Sequence, residues 1–447
     1  MRRRSPTASS TASSRARRSR PRPSQPPRSP ARHPGPLANR RFRWLCLALA
    51  GIPLGLEHLW ATLVVPIASG QPFTDFEVYL GAARDLTAGR DPYTAFFQSR
   101  IPDYAFNQTY IYPPLWGWLL QPLAAVGTRP AEIAFLVFLQ LCIVAFLGCV
   151  YLAIGVRDRQ ELALAGILTV GFLPVRGDLW KDQVDIVLLL VSGLLLLAWT
   201  RGDRFWGGLA LGLSVAVKLL QAPLGLLLLW GRRWRMLGGA LVAGALATAV
   251  AAPWYLPEYL LRVLPALSEG TGFRENAAPA AVIERLLHPE TFYRGGAPDG
   301  FAIRLVALAI AVGVVLLTWR FLGSRPRTER LGRALEVTVA VAATQLLLTV
   351  NYHLVFELLP ILVLLRAGLQ RLDRPILVAA FGTWFLVGPF HALFLNAIGD
   401  NFTSYLGLRL WAETQPLAIV ALWLGCLRAL ADAKPACHDL DQAALHE

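Results

Sequence analysis

Charge is scarce in this chain, and lysine is scarcer still. Of 447 residues only 16% are Asp, Glu, Lys or Arg, against 55% hydrophobic, and the mean hydropathy is +0.46. A soluble protein of this length carries closer to one charged residue in four, which excludes an ordinary water-exposed globule. Strict polar/apolar alternation is missing too, which excludes a transmembrane β-barrel. The five cysteines, Cys46, Cys142, Cys149, Cys426 and Cys437, have neither metal-ligand spacing nor the pattern of a disulfide framework. No P-loop, Rossmann glycine pattern or Ser-His-Asp elbow occurs. Nor does an Asp-x-Asp pair in a soluble domain, of the kind a nucleotide-sugar enzyme uses to hold a metal. No metal site and no cofactor is therefore expected, and any donor should be carried by the membrane.

What remains is apolar sequence in runs near the length that spans a bilayer, recurring along almost the whole chain after residue 43. The expected fold class is an all-α polytopic membrane protein with about ten to thirteen transmembrane helices. The first span runs from Trp44 to Pro66, and further apolar segments cover 113–127, 131–155, 161–175, 184–200, 206–230, 236–253, 301–322, 334–350, 353–368, 375–398 and 416–431.

The net charge of +14 belongs almost entirely to the first 43 residues, which hold thirteen Arg and no Asp, Glu or Lys. This Ser/Pro/Arg-rich stretch has too little apolar surface to fold. It reads as a disordered cytosolic tail that sets orientation by the positive-inside rule, with anionic membrane lipids as a further partner. Nucleic acid is not an expected partner for a tail tethered to a membrane body. The expected domains are thus a tail over 1–43, a transmembrane body over 44–431 and a short cytosolic tail over 432–447. Arg232-Arg233-Trp234-Arg235, Arg325 to Arg333 and Arg366 to Arg374 should be cytosolic. This leaves 67–112, 254–300 and 399–415 as external loops. A strict span count puts Arg157/Arg159 and Arg201/Arg204 outside, against their preference. A break of 206–230 near Lys218, with 113–127 re-entrant, resolves the conflict.

The loop from Phe73 to Pro114 is the most informative stretch. It opens with Thr74-Asp75-Phe76-Glu77-Val78-Tyr79 and closes with Tyr110-Ile111-Tyr112-Pro113-Pro114, and Glu77 to Ala88 reads as an interfacial amphipathic helix. Asp75 follows the first span, where a carboxylate can act as a general base on an acceptor hydroxyl; equally, Thr74 or Asp75 can cap the helix that follows. Lys218, alone inside an apolar run, is expensive there unless paired or hydrated. A phosphate at the wall of a lipid-lined cavity would satisfy it, as would snorkelling to the interface. Arg176-Gly177-Asp178-Leu179-Trp180-Lys181-Asp182-Gln183-Val184-Asp185 is a charged knot between apolar segments. It reads either as the wall of a polar cavity for sugar or phosphate or as a solvated turn. His353, beside Asn351 and Tyr352, reads as a donor to a phosphate or sugar oxygen or as an interfacial structural histidine; His391 is a weaker case of the same. Asn276 either lines an acceptor site or caps the helix-like stretch Ala277 to Leu287.

These motifs, in this order, resemble glycosyltransferase family 87, a GT-C group that uses polyprenol-phosphate sugars. Asp75-Phe76 with Tyr79, Gly89, Pro92-Tyr93 and Tyr112-Pro113-Pro114 are similar to its first external loop. Asp182-Gln183-Val184-Asp185-Ile186 resembles its Gly-Gln-Val-Asn stretch, and Gly208 to Pro223 its glycine-rich run ending in Lys-Leu-x-Pro. Glu275-Asn276 through Leu287 resembles its Asn-Gln-Ser external helix, and Tyr352-His353 with Leu358-Leu359-Pro360 its later turn and span. The resemblance covers about residues 44–430. Asp182 stands for Gly, Asp185 for Asn and Ala277-Ala278 for Gln-Ser, and the spacing from Lys218 to Pro223 is stretched.

The resemblance implies a GT-C-type bundle with interfacial helices on a long first external loop. It also implies an inner-membrane enzyme of a bacterial cell envelope, with a cytosolic N-terminus and its site on the outer face. The implied reaction moves a sugar, mannose in the best-known members, from a polyprenyl-phosphate donor to a lipid-linked or glycan acceptor by one inverting displacement. Asp75 is the implied general base. His353, Lys218, Arg176, Lys181 and Gln183 would bind the donor phosphate or sugar, and Glu77, Tyr79, Tyr112, Asn276 and Asn351 would line the acceptor side. The rival readings are a lipid-linked sugar transporter or flippase and a GT-C enzyme for another sugar, such as arabinose.

Overall fold

The computed structural model describes residues 39–70, 74–98, 109–251, 253–268, 276–291, 300–322, 327, 329–348, 351–390 and 413–433, without the side chains of Thr74, Ser268, Asn351 and Tyr352. Most of the arginine-rich tail, His391, the stretch 399–412 and the last fourteen residues of the C-terminal tail lie outside the described residues. By contacts the chain divides into Met1–Leu45 and Cys46–Glu447. All packing below belongs to the second unit.

The protein is an all-α polytopic membrane protein. Among the described residues six helices are long and apolar enough to cross a membrane, or eight if each of two bent pairs is one span, and four shorter apolar helices accompany them. We number the helices that bear on the site as α1 (Arg40–Ser69), α2 (Thr74–Thr87), α3 (Thr128–Ile154), α4 (Arg159–Val170), α5 (Leu173–Lys181), α6 (Asp185–Thr200), α7 (Phe205–Val217), α8 (Trp234–Val250), α9 (Pro279–Leu287), α10 (Phe301–Leu322), α11 (Arg330–Leu348), α12 (Leu358–Arg371), α13 (Arg374–Phe390) and α14 (Thr414–Ala431).

Helix α3 illustrates how the sequence makes a span. It is apolar on all sides. Phe135, Leu139, Cys142, Phe146, Cys149 and Ala153 follow helical spacing and are buried, while Phe138, Leu141, Val144 and Leu152 on the opposite side are exposed. A water-facing helix would carry charge on that second face; here it meets lipid. Gly155, at φ 69°, ends the helix in the left-handed conformation. Helices α11 and α12 form the centre of the bundle, whereas α1 and α10 are mostly exposed and sit at its edge. Specific polar links cross the interior. Trp199 on α6 donates to Glu336 on α11 at 2.8 Å, and Arg366 on α12 pairs with Glu161 on α4.

Two interruptions shape the region around the site. Residues 113–127, read from sequence as one apolar segment, form two short helices, Pro114–Leu119 and Gln121–Ala125, too short to cross a bilayer. The 206–230 run breaks at Lys218, whose extended backbone (φ −155°, ψ 122°) ends α7. Polar side chains at the break bond to one another and to α6, as the membrane interior requires of buried polar groups. Ser214 donates to Gln221 at 2.6 Å, and Gln221 donates to Ser192 on α6 at 2.7 Å and to the Leu188 carbonyl at 3.0 Å.

Helices α7 and α8 pack with almost no space between backbones. A Cβ placed on Gly208 would lie 1.7 Å from the Met236 carbonyl oxygen, and one on Gly212 would lie 2.2 Å from the Ala240 carbonyl oxygen. Only glycine allows this approach, and backbone cannot swing aside as a side-chain tip can. Gly208→Val is therefore expected to destabilise the fold by roughly 3 kcal/mol or more, the upper end for overpacking. A lowered thermal-unfolding midpoint in detergent, next to an unchanged Gly238→Ala control with open space at its Cβ, checks this.

Candidate active site

The site is assembled by α2, the Tyr110–Pro114 segment, the α5–α6 turn and the break after α7. On α2, Asp75 and Tyr79 are one helical turn apart and share a face, with Phe76, Leu80 and Ala83 buried beside them. Asp75 is half-buried, while Glu77, two residues on, points to the opposite side and is exposed.

The Tyr110-Ile111-Tyr112-Pro113-Pro114 sequence builds the platform under α2. Pro114 starts a short helix, where a missing N–H does no harm. Tyr110 then folds back, donating its hydroxyl to the Pro113 carbonyl at 2.7 Å and accepting from the Gly117 N–H at 2.8 Å. Tyr93 donates to the Tyr112 carbonyl at 2.8 Å. The Tyr112 ring is thereby set edge-on to Tyr79, with centroids 5.1 Å apart at 89°.

The α5–α6 turn supplies the partner of Asp75. Asp182 ends α5 at φ 53°, a left-handed position open to Asp among few other residues, and the reversal brings Gln183 under α2. Gln183 is buried. Its amide nitrogen donates to Asp75 Oδ2, and its amide oxygen accepts from Tyr79 at 3.0 Å and lies 3.4 Å from the Tyr112 hydroxyl. Burial pushes the Asp75 carboxyl above its ordinary value. Lys181 foremost, then Lys218, and then the Gln183 hydrogen bond oppose that shift. Burial with Glu132 nearby pushes Asp182, in the α5–α6 turn, up to about 8.

Deeper in the cluster, Lys218 donates to both oxygens of Asp185, at 2.8 and 2.9 Å, and Asp185 is fully buried at the start of α6. His353 Nε2 lies 3.8 Å from Asp185 Oδ2, and its Nδ1 is 3.4 Å from the Leu348 carbonyl. The Lys218 ammonium also sits 5.3 Å from the centre of the Tyr112 ring. Asp178 is buried within electrostatic reach of Asp185, Lys218, Lys181 and Asp75.

Of the residues singled out from sequence, the fold thus brings together Asp75, Gln183, Tyr79, Tyr112, Lys218 and His353, with Lys181 at the rim. Arg176 faces elsewhere, paired with Glu57 on α1. Asn276 accepts from the Ala278 N–H at 2.9 Å and leads into α9, and its carbonyl accepts from Arg285, which forms a buried two-pronged pair with Glu413. The Asn351 side chain lies outside the described residues. Two acids of the charged knot given no role of their own from sequence, Asp185 and Asp178, are integral to the cluster. The signal for Asp185 was present: an acid opening an apolar helix, in a chain whose following apolar run holds a single lysine. Among the described residues no group of three or more His, Cys, Asp or Glu side chains is placed to hold a metal ion.

The cluster has a chemistry of its own. A carboxyl raised above its ordinary value by burial, with cations near it, suits proton abstraction, and cations with a nearby imidazole suit an anion.

Comparison with known proteins agrees in direction. The chain is 26% identical over 253 residues to an alpha-(1->3)-arabinofuranosyltransferase of Corynebacterium glutamicum, covering 55% of this chain and 58% of that protein. It is 25% identical over 272 residues to the alpha-(1->3)-arabinofuranosyltransferase of Mycobacterium tuberculosis strain H37Rv, covering 58% of each. The chain therefore spans less than two thirds of the length of the curated relatives it matches. The model of glycosyltransferase family 87 matches residues 110–350, more than half of this chain, including Tyr112, Gln183, Asp185 and Lys218. The chain belongs to glycosyltransferase family 87.

Proposed function

We propose that this protein transfers a sugar from a polyprenyl-phosphate donor to a lipid-linked or glycan acceptor, at a site opening to the non-cytosolic face of a bacterial inner membrane. The observation that carries the reading is Asp75, a half-buried carboxylate at the start of α2, held by Gln183 beside Lys181. In the reaction the acceptor oxygen bonds to the anomeric carbon as the bond from that carbon to the phosphate oxygen breaks. The acceptor proton passes to Asp75, and the polyprenyl monophosphate leaves with the bonding pair. Charge then grows on the phosphate, and the nearby cations Lys181 and Lys218, with His353, stabilise it where it develops.

The names of the two relatives favour an arabinofuranose donor, while the motif resemblance favours mannose; the arabinofuranose is the one we adopt. The test is a donor panel in membranes containing the protein. Label should move from polyprenyl-phosphate arabinofuranose into lipid or glycan product, and not from nucleotide sugars. Transfer from the mannosyl donor alone would overturn the choice of sugar. A lipid-linked sugar that crosses the bilayer with no new glycosidic bond would favour a flippase instead.

The electrostatics of Asp75 give a pH prediction. Its carboxyl is raised by burial and held down mainly by Lys181, so transfer should fall on acidification at a pH above the ordinary carboxylate range. In Lys181→Met the fall moves to higher pH, because the ionised base has lost its strongest support. Lys181 is exposed, so added salt should narrow the gap between the two profiles. Profiles of kcat/KM for both proteins check this, and superimposable acid limbs would count against it.

A further inference from the structure

The amide of Gln183 faces different chemistry at its two ends. Its nitrogen meets Asp75 Oδ2. Its oxygen meets the hydroxyls of Tyr79 at 3.0 Å and Tyr112 at 3.4 Å, which are themselves 3.1 Å apart. Gln183 and both tyrosines are buried, so water does not compete for these bonds. An ionised carboxylate only accepts, whereas a hydroxyl can donate. The amide is thus settled one way round, with its N–H toward the acid and its oxygen toward the phenols. Turning it over would set oxygen against carboxylate oxygen.

The consequence for Asp75 is asymmetric. One oxygen is occupied by Gln183, and among the described residues none donates to the other. On that basis we infer that Gln183 is a positioning residue, holding Asp75 by Oδ2 so that Oδ1 meets the acceptor hydroxyl, with Tyr79 and Tyr112 fixing the sense of the amide. This rests on Asp75 being the base. It moves Gln183 out of the donor-binding set and the two tyrosine hydroxyls out of the acceptor-lining set. The groups within electrostatic reach of Asp75 are Lys181, Lys218, Asp178, Asp182 and Asp185 on the neighbouring elements and Tyr79 on its own helix.

The test compares wild type with Gln183→Met, Gln183→Glu, Tyr79→Phe and Asp75→Asn, using a labelled polyprenyl-phosphate sugar. Gln183→Met keeps the bulk and removes the donor. It should lower kcat on the order of 10-fold to 100-fold, the range for a misplaced catalytic group. Its donor KM should be unchanged and the acid limb of its pH profile shifted upward. Gln183→Glu should shift that limb further, because a second carboxylate beside Asp75 disfavours ionisation of either. Tyr79→Phe should reproduce the Gln183→Met shift more weakly, through loss of hold on the amide oxygen, and serves if Gln183→Met fails to insert. A raised donor KM with an unmoved acid limb would overturn the inference and return Gln183 to the donor. Unchanged kcat, KM and pH profile would overturn it as well. Full activity in Asp75→Asn would instead sink the reading of Asp75 as the base.

Discussion

Asp75→Asn is expected to abolish transfer to within the background, a loss on the order of 100-fold to 10,000-fold, without changing the amount of protein in the membrane. The amide is the same size as the acid and can still accept from Gln183, so the fold around α2 should hold; what it lacks is basicity. The size of the loss follows from the surroundings. The other acid in the first turn of α2, Glu77, turns outward and is exposed, and the deeper acid Asp185 already accepts two bonds from Lys218. Glu77→Gln is the matching control and should retain near wild-type rates. Transfer assays on membranes with equal protein content read both results.

The second large effect concerns Lys218 and is first an effect on stability. Lys218→Met leaves Asp185 buried with its principal partner removed, and breaking a buried pair from one side costs about 3–5 kcal/mol. Replacing both, as Lys218→Met with Asp185→Leu, should recover much of that loss, since a buried pair exchanged for apolar side chains is often close to neutral. Apparent melting temperatures of the solubilised single and double variants check this. The double variant should still transfer poorly, because the cation proposed to stabilise the departing phosphate has gone with the pair. A double variant no more stable than Lys218→Met would refute the pairing as the reason Lys218 is tolerated in an apolar run.

How much of this is legible in the sequence depends on the distance between partners. Local patterns were readable. The apolar runs point to the membrane class, the amphipathic stretch from Glu77 to a helix, and the lone lysine to the place where α7 breaks. The helix was expected from Glu77 but begins at Thr74, because Asp75 and Glu77 in its first turn favour the positive end of the helix dipole. Asn276 also bonds locally, accepting from the Ala278 N–H, but the N-cap of α9 is Ala278 and no side chain caps it. Long-range pairings were not readable. Gln183 and Asp75 are 108 residues apart, Lys218 and Asp185 are 33 apart, and Arg176 finds Glu57 across 119 residues. Nothing in the charged knot distinguishes Arg176, which turns toward α1, from Lys181 and Gln183, which turn toward α2. Only the pitch of α5 and the left-handed Asp182 after it separate them.

The most direct test of the central claim is product analysis with purified protein in lipid nanodiscs, given a doubly labelled polyprenyl-phosphate arabinofuranose and a membrane-lipid acceptor extract. The account predicts one polyprenyl monophosphate released for each glycosidic bond formed, a product of inverted anomeric configuration, and neither event in Asp75→Asn. Equal product from wild type and Asp75→Asn, or a product of retained configuration, would contradict it.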